Sequence, residues 1–165
     1  ERLVRHMLSR GHESPIEHYS VSVRVICDRG VSHEWVRHRL ASYSQESTRY
    51  CNYSQDKFGN ELTFIKPYFA EPHTALYSTW VIAMAEAEKA YFDLLDFGAK
   101  PEDARSVLPN SIKTEFICTM NLREWRHFFR LRCAPAAHPA MREISIPLLA
   151  EFREMLPVVF EDIPF

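Results

Sequence analysis

The chain has 165 residues, of which 46% are hydrophobic and 25% are charged, and its formal net charge is −2. This length predicts a single domain over residues 1–165 that buries roughly 70% of the surface its unfolded chain would expose. No apolar run reaches the roughly 18 residues of a membrane span, and the acidic balance disfavours a dedicated nucleic-acid binder. Four widely spaced cysteines without a Cys-x-x-Cys pair favour reduced thiols and a cytoplasmic location.

The first part of the chain predicts helix, turn, strand and helix, in that order. Residues 1–10 have a helical apolar pattern, and Ser-Pro-x-Glu at 14–17 predicts a tight turn with a capping box. Alternating apolar residues predict a strand over 19–27. A helix over about 33–41 follows, with Leu40 inward, and the polar residues after it predict irregular structure.

The remaining elements alternate between sheet and helix. A short strand is predicted over 62–65, the longest helix over about 73–97, and a strand over 114–120 with every second residue inward. Asn121 begins a basic aromatic helix, and a final helix runs to about Leu156. We therefore predict an α+β fold, with a mostly antiparallel sheet packed against helices in one domain.

The segment from Arg37 to Tyr50 is rich in hydrogen-bonding side chains, including three arginines, a histidine, three serines and a threonine. A guanidinium is always charged and carries five donors in a fixed fork, so this segment needs anions, and phosphate fits best. The four glycines of the chain form neither a Gly-x-Gly-x-x-Gly motif nor a Walker loop, so side chains and helix N-termini must hold any phosphate. We interpret the segment as a phosphate-binding and catalytic strip, against the alternative of a surface loop tied by salt bridges.

A second basic surface is predicted on the helix over 122–132. Arg123, His127 and Arg130 share one face of this helix, while its aromatic residues form an apolar face that must pack. Such a basic face is either solvated or binds a ligand, and the cap at Asn121 favours an anion site at the helix N-terminus.

Two further groups are predicted to form neither a metal site nor a nucleophile. His12 and His18 stand six residues apart with Pro15 between them, which does not match a metal-binding helix, so no metal site is predicted. Cys51 directly follows the strip, but an isolated cysteine is more typical of a small buried hydrophobe. We therefore assign no cysteine nucleophile.

The strip resembles the signature of the flavin-dependent thymidylate synthases, Arg-His-Arg-x-x-Ser-x-Asn-x-x-Ser-x-Arg-Tyr. Ser44 stands at the asparagine position, and the matching residues are Arg37, His38, Arg39, Ser42, Ser47, Arg49 and Tyr50. The resemblance continues through Gly-His-Glu-Ser-Pro-Ile-Glu-His at 11–18, Val-Leu-Pro at 107–109 and the basic segment at 121–132. Family members usually carry a further N-terminal segment that contributes to the flavin site, and we expect this chain to lack it.

The resemblance implies an enzyme that methylates dUMP to dTMP, with FAD as cofactor, NADPH as reductant and methylenetetrahydrofolate as the one-carbon donor. It also implies a cytoplasmic homotetramer whose FAD and dUMP sites are formed between subunits. Neither a cysteine nucleophile on the pyrimidine nor a membrane or nucleic-acid partner is expected.

The same resemblance implies roles for individual residues. Flavin contacts are expected from His12, Ser14, Glu17, Arg37, His38, Arg39, Gln45, Asn121, Arg123 and His127. Substrate contacts are expected from Arg29, Glu34, Arg37, Gln45, Glu46, Ser47, Thr48, Arg49, Arg105 and Arg132. Arg132 and Ser47 are the expected catalytic residues, since a fixed cation such as Arg132 near the uracil favours its ionised, electron-rich form. Arg49 and Arg105 are expected to grip the phosphate as forks.

Two alternatives stay open at this point. A nucleic-acid-binding module would use the helix from Trp125 to Arg132, because arginines track phosphates and aromatic rings stack on bases. A flavoprotein of other specificity would share the cofactor contacts and differ in its substrate.

Overall fold

The computed structural model describes residues 1–49 and 61–165, so Tyr50 and Cys51 lie outside the described residues. The elements within these ranges are α1 (Arg2–Ser9), β1 (Ser20–Asp28), α2 (Arg29–Trp35), β2 (Ala41–Gln45), α3 (Ala75–Asp96), α4 (Pro101–Ala104), β3 (Lys113–Asn121), α5 (Leu122–Arg132), α6 (Pro139–Met155) and α7 (Pro157–Phe160). Short 3-10 helices cover Ser14–His18 and Arg105–Val107. The mixture of helices and strands confirms the predicted α+β class.

The three strands named above form an antiparallel sheet in the order β1–β3–β2. β3 lies in the centre, and every second residue from Thr114 to Met120 is at most 1% exposed. β1 shows the same alternation, with Val25 and Cys27 buried. The predicted strands at 19–27 and 114–120 are therefore confirmed, since period-2 burial is the mark of a strand with one face in the core.

The chain divides into two compact units. Unit 1 comprises Glu1–Arg24, Val36–Tyr43 and Ile117–Phe165, and unit 2 comprises Val25–Trp35 and Ser44–Phe116. Each unit has its own core and its own candidate site. No helix in residues 1–49 or 61–165 combines the length and apolar character that crossing a bilayer requires.

The core of unit 1 is a cluster of aromatic rings between α5, α6 and α7. The ring centroid of Trp125 lies 5.0 Å from that of Phe152, which in turn lies 5.1 Å from that of Phe160. Phe129 packs against the same rings, and all four residues are fully buried. Because this apolar face of α5 is fixed in the core, the opposite face of α5 is held outward with Arg123 and the other basic residues.

The core of unit 2 forms around the C-terminal half of α3. Tyr91 is fully buried and packs with Leu62, Ala104 and Ile112. The helix runs from Ala75 to Asp96, close to the predicted 73–97. Its N-terminal half is much less covered, and Ile82 keeps 59% of its surface exposed.

The predicted helix over 33–41 was wrong in position. α2 begins at Arg29 and ends at Trp35, and Leu40 is 74% exposed instead of inward. The Asp28 carboxylate accepts a hydrogen bond from the Val31 N–H at 2.6 Å, which caps the helix four residues earlier than the predicted start.

The polar segment after α2 was predicted as irregular and is instead strand β2. Ala41, Tyr43 and Gln45 alternate with more exposed serines, so the segment has the period of a strand despite its polar composition. The Glu46 N–H continues the pairing with β3 by donating to the Glu115 carbonyl at 2.9 Å. Pairing with a central apolar strand therefore decided this element, whereas its own side chains carried a weak strand signal.

Two short predictions were partly right. The turn at Ser14–His18 exists as a 3-10 helix, but it has no side-chain cap, so the predicted capping box there was wrong. The predicted strand over 62–65 is reduced to a single antiparallel bridge between Phe64 and Ile112.

Candidate functional site

The basic residues of α5 border a cavity of about 480 Å³ in unit 1, which we call the basic cleft. The Asn121 side chain accepts a hydrogen bond from the Glu124 N–H at 2.8 Å, which confirms Asn121 as the N-cap of α5. The side chains around the basic cleft include Glu13, Glu17, Asn121, Arg123, His127 and Arg130. The cleft therefore combines a capped helix N-terminus with donors and acceptors.

Charge in the basic cleft is balanced between arginines and glutamates. Arg123 donates to the Glu17 carboxylate, and its Nε lies 3.6 Å from Glu13 Oε2. Arg130 Nη1 lies 3.4 Å from Glu13 Oε1. A ligand with both anionic phosphates and a polar heterocycle matches this mixed donor set, and a flavin nucleotide is such a ligand.

Arg126 belongs to the same helix but points into the protein, where it is 1% exposed. It makes a two-bond fork to Asp162, with Nη1 to Oδ1 at 2.6 Å and Nη2 to Oδ2 at 2.7 Å. Its Nε donates to Glu13 Oε1 at 3.0 Å. Arg126 thus connects α5 with the turn that contains Glu13, and it lies four residues after the buried Leu122, a spacing that the sequence already showed.

His38 lies between two charged side chains of α5. Its Nδ1 is 3.2 Å from Glu124 Oε1, and its Nε2 is 3.0 Å from Arg132 Nε. A carboxylate only accepts and a guanidinium only donates, so Nδ1 carries the proton and Nε2 keeps its lone pair. Burial lowers the pKa of His38 below its ordinary value, despite the Glu124 hydrogen bond, which agrees with this neutral form.

The ligand atoms of His38, Glu124 and His127 lie within 4.8 Å of one another, a spacing that suits a metal ion. However, both ring nitrogens of His38 are engaged by Glu124 and Arg132, so this ring has no lone pair for a metal. We describe Glu124, His38 and Arg132 together as the Glu–His–Arg chain.

Unit 2 contains a second cavity of about 400 Å³, which we call the arginine pocket. Its lining includes Arg29, His33, Thr48, Glu102, Arg105 and Asn110. Arg29 Nη1 is buried and makes no hydrogen bond with any described residue. A buried guanidinium nitrogen without a partner is rare and costly, so an anionic ligand would complete this pocket.

The other polar groups of the arginine pocket leave an excess of positive charge. Arg105 Nη1 is 3.5 Å from Thr48 Oγ1, and its Nε donates to the Glu102 carbonyl at 3.1 Å. The Glu102 carboxylate lies 3.9 Å from Arg49 Nη2. The pocket lining therefore contains Arg29 and Arg105 but only one carboxylate, that of Glu102, which also pairs with Arg49. This excess of positive charge favours binding of a phosphate.

The expected substrate residues on and after β2 are mostly engaged inside unit 2. The Gln45 amide donates to Ser32 Oγ and to Thr114 Oγ1, both at 3.1 Å. Lys113 Nζ lies 3.5 Å from Glu46 Oε2. Two further expected substrate residues, Ser47 and Arg49, contact each other, because the Arg49 N–H donates to Ser47 Oγ at 3.3 Å.

The structure gathers some of the expected residues and leaves others apart. Glu17, Asn121, Arg123 and His127 line the basic cleft, and Arg29, Thr48 and Arg105 line the arginine pocket. Four expected flavin contacts, His12, Ser14, Arg37 and Arg39, are exposed and lie outside the lining of the basic cleft, and Glu34 is half-buried.

Three site residues were missed by the sequence reasoning. Glu13, Glu124 and His33 were given no binding role. Placing the helix over 33–41 hid the fact that His33 lies on α2, one turn after Arg29. Glu13 and Glu124 had no local signal, because their partners are distant in sequence.

These two cavities define a class: an α+β protein whose arginine side chains and capped helix N-terminus form a donor set suited to anionic ligands. Residues 1–158 match the model of the thymidylate synthase complementing protein family, and the chain belongs to that family. It is similar to proteins named flavin-dependent thymidylate synthase from Pyrococcus furiosus, at 39% identity over 152 residues, and from Pyrococcus abyssi and Geobacter sulfurreducens, both at 38% over 157 residues. The family resemblance of the signature is thereby confirmed.

The matches span most of this chain and a smaller share of the relatives. They include 92%, 93% and 94% of this chain for Pyrococcus furiosus, Pyrococcus abyssi and Geobacter sulfurreducens, respectively. In the same order they include 62%, 64% and 66% of the relatives. The chain therefore spans slightly less than two thirds of the length of these proteins.

Proposed function

We propose that this protein is a flavin-dependent thymidylate synthase, which methylates dUMP to dTMP with FAD as cofactor, methylenetetrahydrofolate as one-carbon donor and NADPH as reductant. The observation that carries the proposal is the arginine pocket, where the buried Arg29 Nη1 makes no hydrogen bond with the described residues. Membership of the family and the names of its relatives support the choice of a nucleotide as the ligand.

In this proposal the arginine pocket binds the phosphate of dUMP. Arg29 and Arg105 donate to the phosphate oxygens, and the Thr48 hydroxyl lies beside Arg105 to complete the contact. Arg49 adds a further cation and is oriented by the Glu102 carboxylate. The other expected substrate residues are Glu34, Arg37, Gln45, Glu46 and Ser47, with Ser47 retained as a catalytic residue.

We propose that the basic cleft holds part of FAD. Arg123 and the N-terminus of α5 at Asn121 suit its phosphates, while His127 and Glu17 suit the polar edges of a flavin ring. The family resemblance assigns further FAD contacts to His12, Ser14, Arg37, His38, Arg39 and Gln45, which lie outside the lining of the basic cleft. When bound, FAD supplies the hydride that reduces the transferred carbon to a methyl group.

Arg132 is the residue that we propose activates the uracil. A fixed guanidinium beside the ring stabilises the ionised pyrimidine, whose ring carbon is then nucleophilic enough to attack the one-carbon unit. The carbon–carbon bond forms as the carbon–nitrogen bond to the folate breaks, and the ring carbon then loses its proton. Because NADPH supplies the two electrons, the folate leaves as tetrahydrofolate without being oxidised.

We further propose a homotetramer in the cytoplasm, with the FAD and dUMP sites formed between subunits. The exposed apolar residues Leu76, Val81 and Ile82 on the N-terminal half of α3 support an assembly, since large apolar side chains left exposed can be covered by another subunit. Cys27, Cys118 and Cys133 are buried free thiols, in agreement with a reducing compartment.

The proposal is tested by comparing dUMP with deoxyuridine, which lacks the phosphate. We expect Arg29→Gln to weaken dUMP binding by about 10- to 100-fold, because a charge-assisted hydrogen bond contributes roughly 1.5–3 kcal/mol. Deoxyuridine binding should change little. Isothermal titration of the purified, FAD-loaded protein measures both affinities.

Arg5→Gln serves as the matched control, since Arg5 is exposed and pairs with Glu161. This variant should bind both ligands normally. A protein that takes up neither FAD nor dUMP, or an Arg29→Gln variant with equal losses for dUMP and deoxyuridine, contradicts the proposal. Salt-dependent binding of RNA or DNA without binding of dUMP would instead favour a nucleic-acid-binding module.

A further inference from the structure

We infer that Glu124 is a positioning residue that orients Arg132 through His38. The inference concerns a carboxylate to which the family signature and the cap of α5 assign no such role. The contacts by which Glu124 and His38 orient Arg132 lie within unit 1. The expected effect on turnover rests on the proposed function.

The His38 ring donates one hydrogen bond and accepts another. Glu124 accepts from His38 Nδ1 at 3.2 Å, and Arg132 donates to His38 Nε2 at 3.0 Å. A neutral imidazole has one N–H and one lone pair, so both bonds form only when the proton is on Nδ1. The carboxylate of Glu124 thus selects the tautomer that accepts from Arg132.

Glu124 and Arg132 lie on the same helix, and both contact His38. Glu124 and Arg132 are eight residues apart on α5, which corresponds to about 12 Å along the helix axis. His38 comes from outside α5 and spans this separation. One helix therefore holds both charged partners at a fixed spacing, and the ring between them transmits the preference of Glu124 to Arg132.

The His38 ring is packed so closely that it has little freedom to rotate. It is 5% exposed, and its ring centroid lies 5.0 Å from Phe128 and 5.8 Å from His127. The Tyr43 hydroxyl donates to the His38 backbone carbonyl at 2.8 Å. A ring packed this closely meets the loss of Glu124 mainly by moving its proton, because rotation would lose the packing.

At the other end, the backbone of Arg132 is also fixed. The Ser145 hydroxyl of α6 donates to the Arg132 carbonyl at 2.8 Å. With the main chain held by Ser145 and the Nε edge held by His38, the plane of the guanidinium is defined. That plane decides where its donors point, and a fork of donors is useful in catalysis only in one orientation.

Removing the carboxylate is expected to weaken the preference for the Nδ1-protonated tautomer. In Glu124→Leu, His38 Nδ1 has no acceptor and Arg132 alone favours this tautomer, so a fraction of the rings carries the proton on Nε2, where it opposes the Arg132 Nε–H and displaces the guanidinium. Glu124→Gln keeps a carbonyl oxygen that can accept from Nδ1, so this variant should retain the chain. The comparison separates loss of the acceptor from loss of the charge.

The first experiment reads the tautomer directly, without FAD or substrate. Long-range proton–nitrogen NMR of protein with nitrogen-15-labelled histidine should show His38 protonated at Nδ1 in the unchanged protein and in Glu124→Gln, and a mixture of Nδ1- and Nε2-protonated rings in Glu124→Leu. Glu161→Leu, at an exposed position of the same unit, is the matched control and should leave His38 unchanged. A His38 that is as fully protonated at Nδ1 in Glu124→Leu as in the unchanged protein overturns the inference.

The second experiment measures turnover and binding separately. We expect Glu124→Leu to lower kcat by roughly 10- to 100-fold, since misplacement of a catalytic group costs on this order, while the KM for dUMP changes little. Glu124→Gln should restore most of kcat. A Glu124→Leu variant with the kcat of the unchanged protein overturns the inference.

The two experiments also separate this inference from the proposed function. If the unchanged protein makes no dTMP but shows the expected tautomers, the proposed function fails and the Glu–His–Arg geometry stands. If Glu124→Leu does not fold, Glu124→Asp replaces it, because its shorter side chain withdraws the carboxylate from Nδ1. Unchanged His38 signals and kcat in a folded Glu124→Asp then count against the inference.

Discussion

At the scale of single residues, neighbouring arginines on α5 do different work because their burial differs. Arg123 is exposed and reaches the basic cleft, whereas Arg126 is enclosed by Asp162, Glu13 and the Val159 carbonyl. A guanidinium loses much hydration when buried, so it needs most of its donors satisfied by the protein. The arginine count of a helix therefore gives an upper limit to the charge that it offers a ligand.

Asp162→Asn is expected to lower the free energy of unfolding by about 2 kcal/mol at neutral pH, because it leaves the buried Arg126 poorly compensated while Asp162 itself is half exposed. The hydrogen bond from Arg126 holds the pKa of Asp162 below its ordinary value. The stabilisation is therefore complete above that ordinary pKa and is lost as the pH falls through the lowered one. Urea unfolding at several pH values measures this difference.

The control for this prediction is Glu161→Gln, which breaks the exposed pair with Arg5 and should change unfolding within error. Asp162→Asn should approach the unchanged protein in stability only in acid, below about pH 4. An Asp162→Asn variant whose deficit is constant from neutral pH to strong acid would show that the pair with Arg126 contributes nothing.

At the scale of elements, features set by neighbouring residues were predicted correctly, whereas features set by contacts distant in sequence were missed. Asn121 was identified as the cap of α5 because cap and helix are adjacent in sequence, and the long α3 followed its apolar period. β2 was missed because its polar residues are ordered by pairing with β3. Likewise, nothing local connects His38 with Glu124, since 86 positions separate them. The strip stays a site predicted from its composition, and the hydrogen-bond partners of its described residues came only from the fold.

The N-terminus of α2 offers a direct test of such capping. Asp28→Ala removes the acceptor of the Val31 N–H and is expected to cost about 1 kcal/mol of unfolding free energy. It should also weaken dUMP binding, because Arg29 and His33 lie on the first two turns of α2. Thermal unfolding and titration measure the two effects.

Asp28→Asn is the matched control, because asparagine caps helices about as well as aspartate does. This variant should keep both stability and binding. Equal losses in Asp28→Asn and Asp28→Ala would mean that the charge of Asp28, and not its role as a cap, supports the helix.

At the scale of the whole molecule, apolar surface remains that neither core covers. α3 buries only Tyr91 completely although its composition is largely apolar, and three aliphatic residues of its N-terminal half are exposed. These exposed apolar side chains, which lie on several sides of the helix, agree with the interface between copies proposed above.

If the proposed tetramer contains this part of α3, Ile82→Glu is expected to shift the protein toward smaller species, because a charge in an apolar interface is costly to desolvate. Analytical ultracentrifugation measures the distribution, and circular dichroism verifies that the variant is folded. Ile82→Leu preserves the apolar contact and should assemble as the unchanged protein does. A folded Ile82→Glu variant with the same assembly at low micromolar concentration would exclude Ile82 from the interface.

The placement of both charged ends of the Glu–His–Arg chain on α5 has a consequence for evolution. Inserting one residue between Glu124 and Arg132 would turn the following residues by about 100° around the helix axis and separate Arg132 from His38. Substitutions on the outer face of α5 leave this spacing intact. We therefore expect substitutions on the outer face of α5 to be tolerated more readily than any change in the number of residues between Glu124 and Arg132.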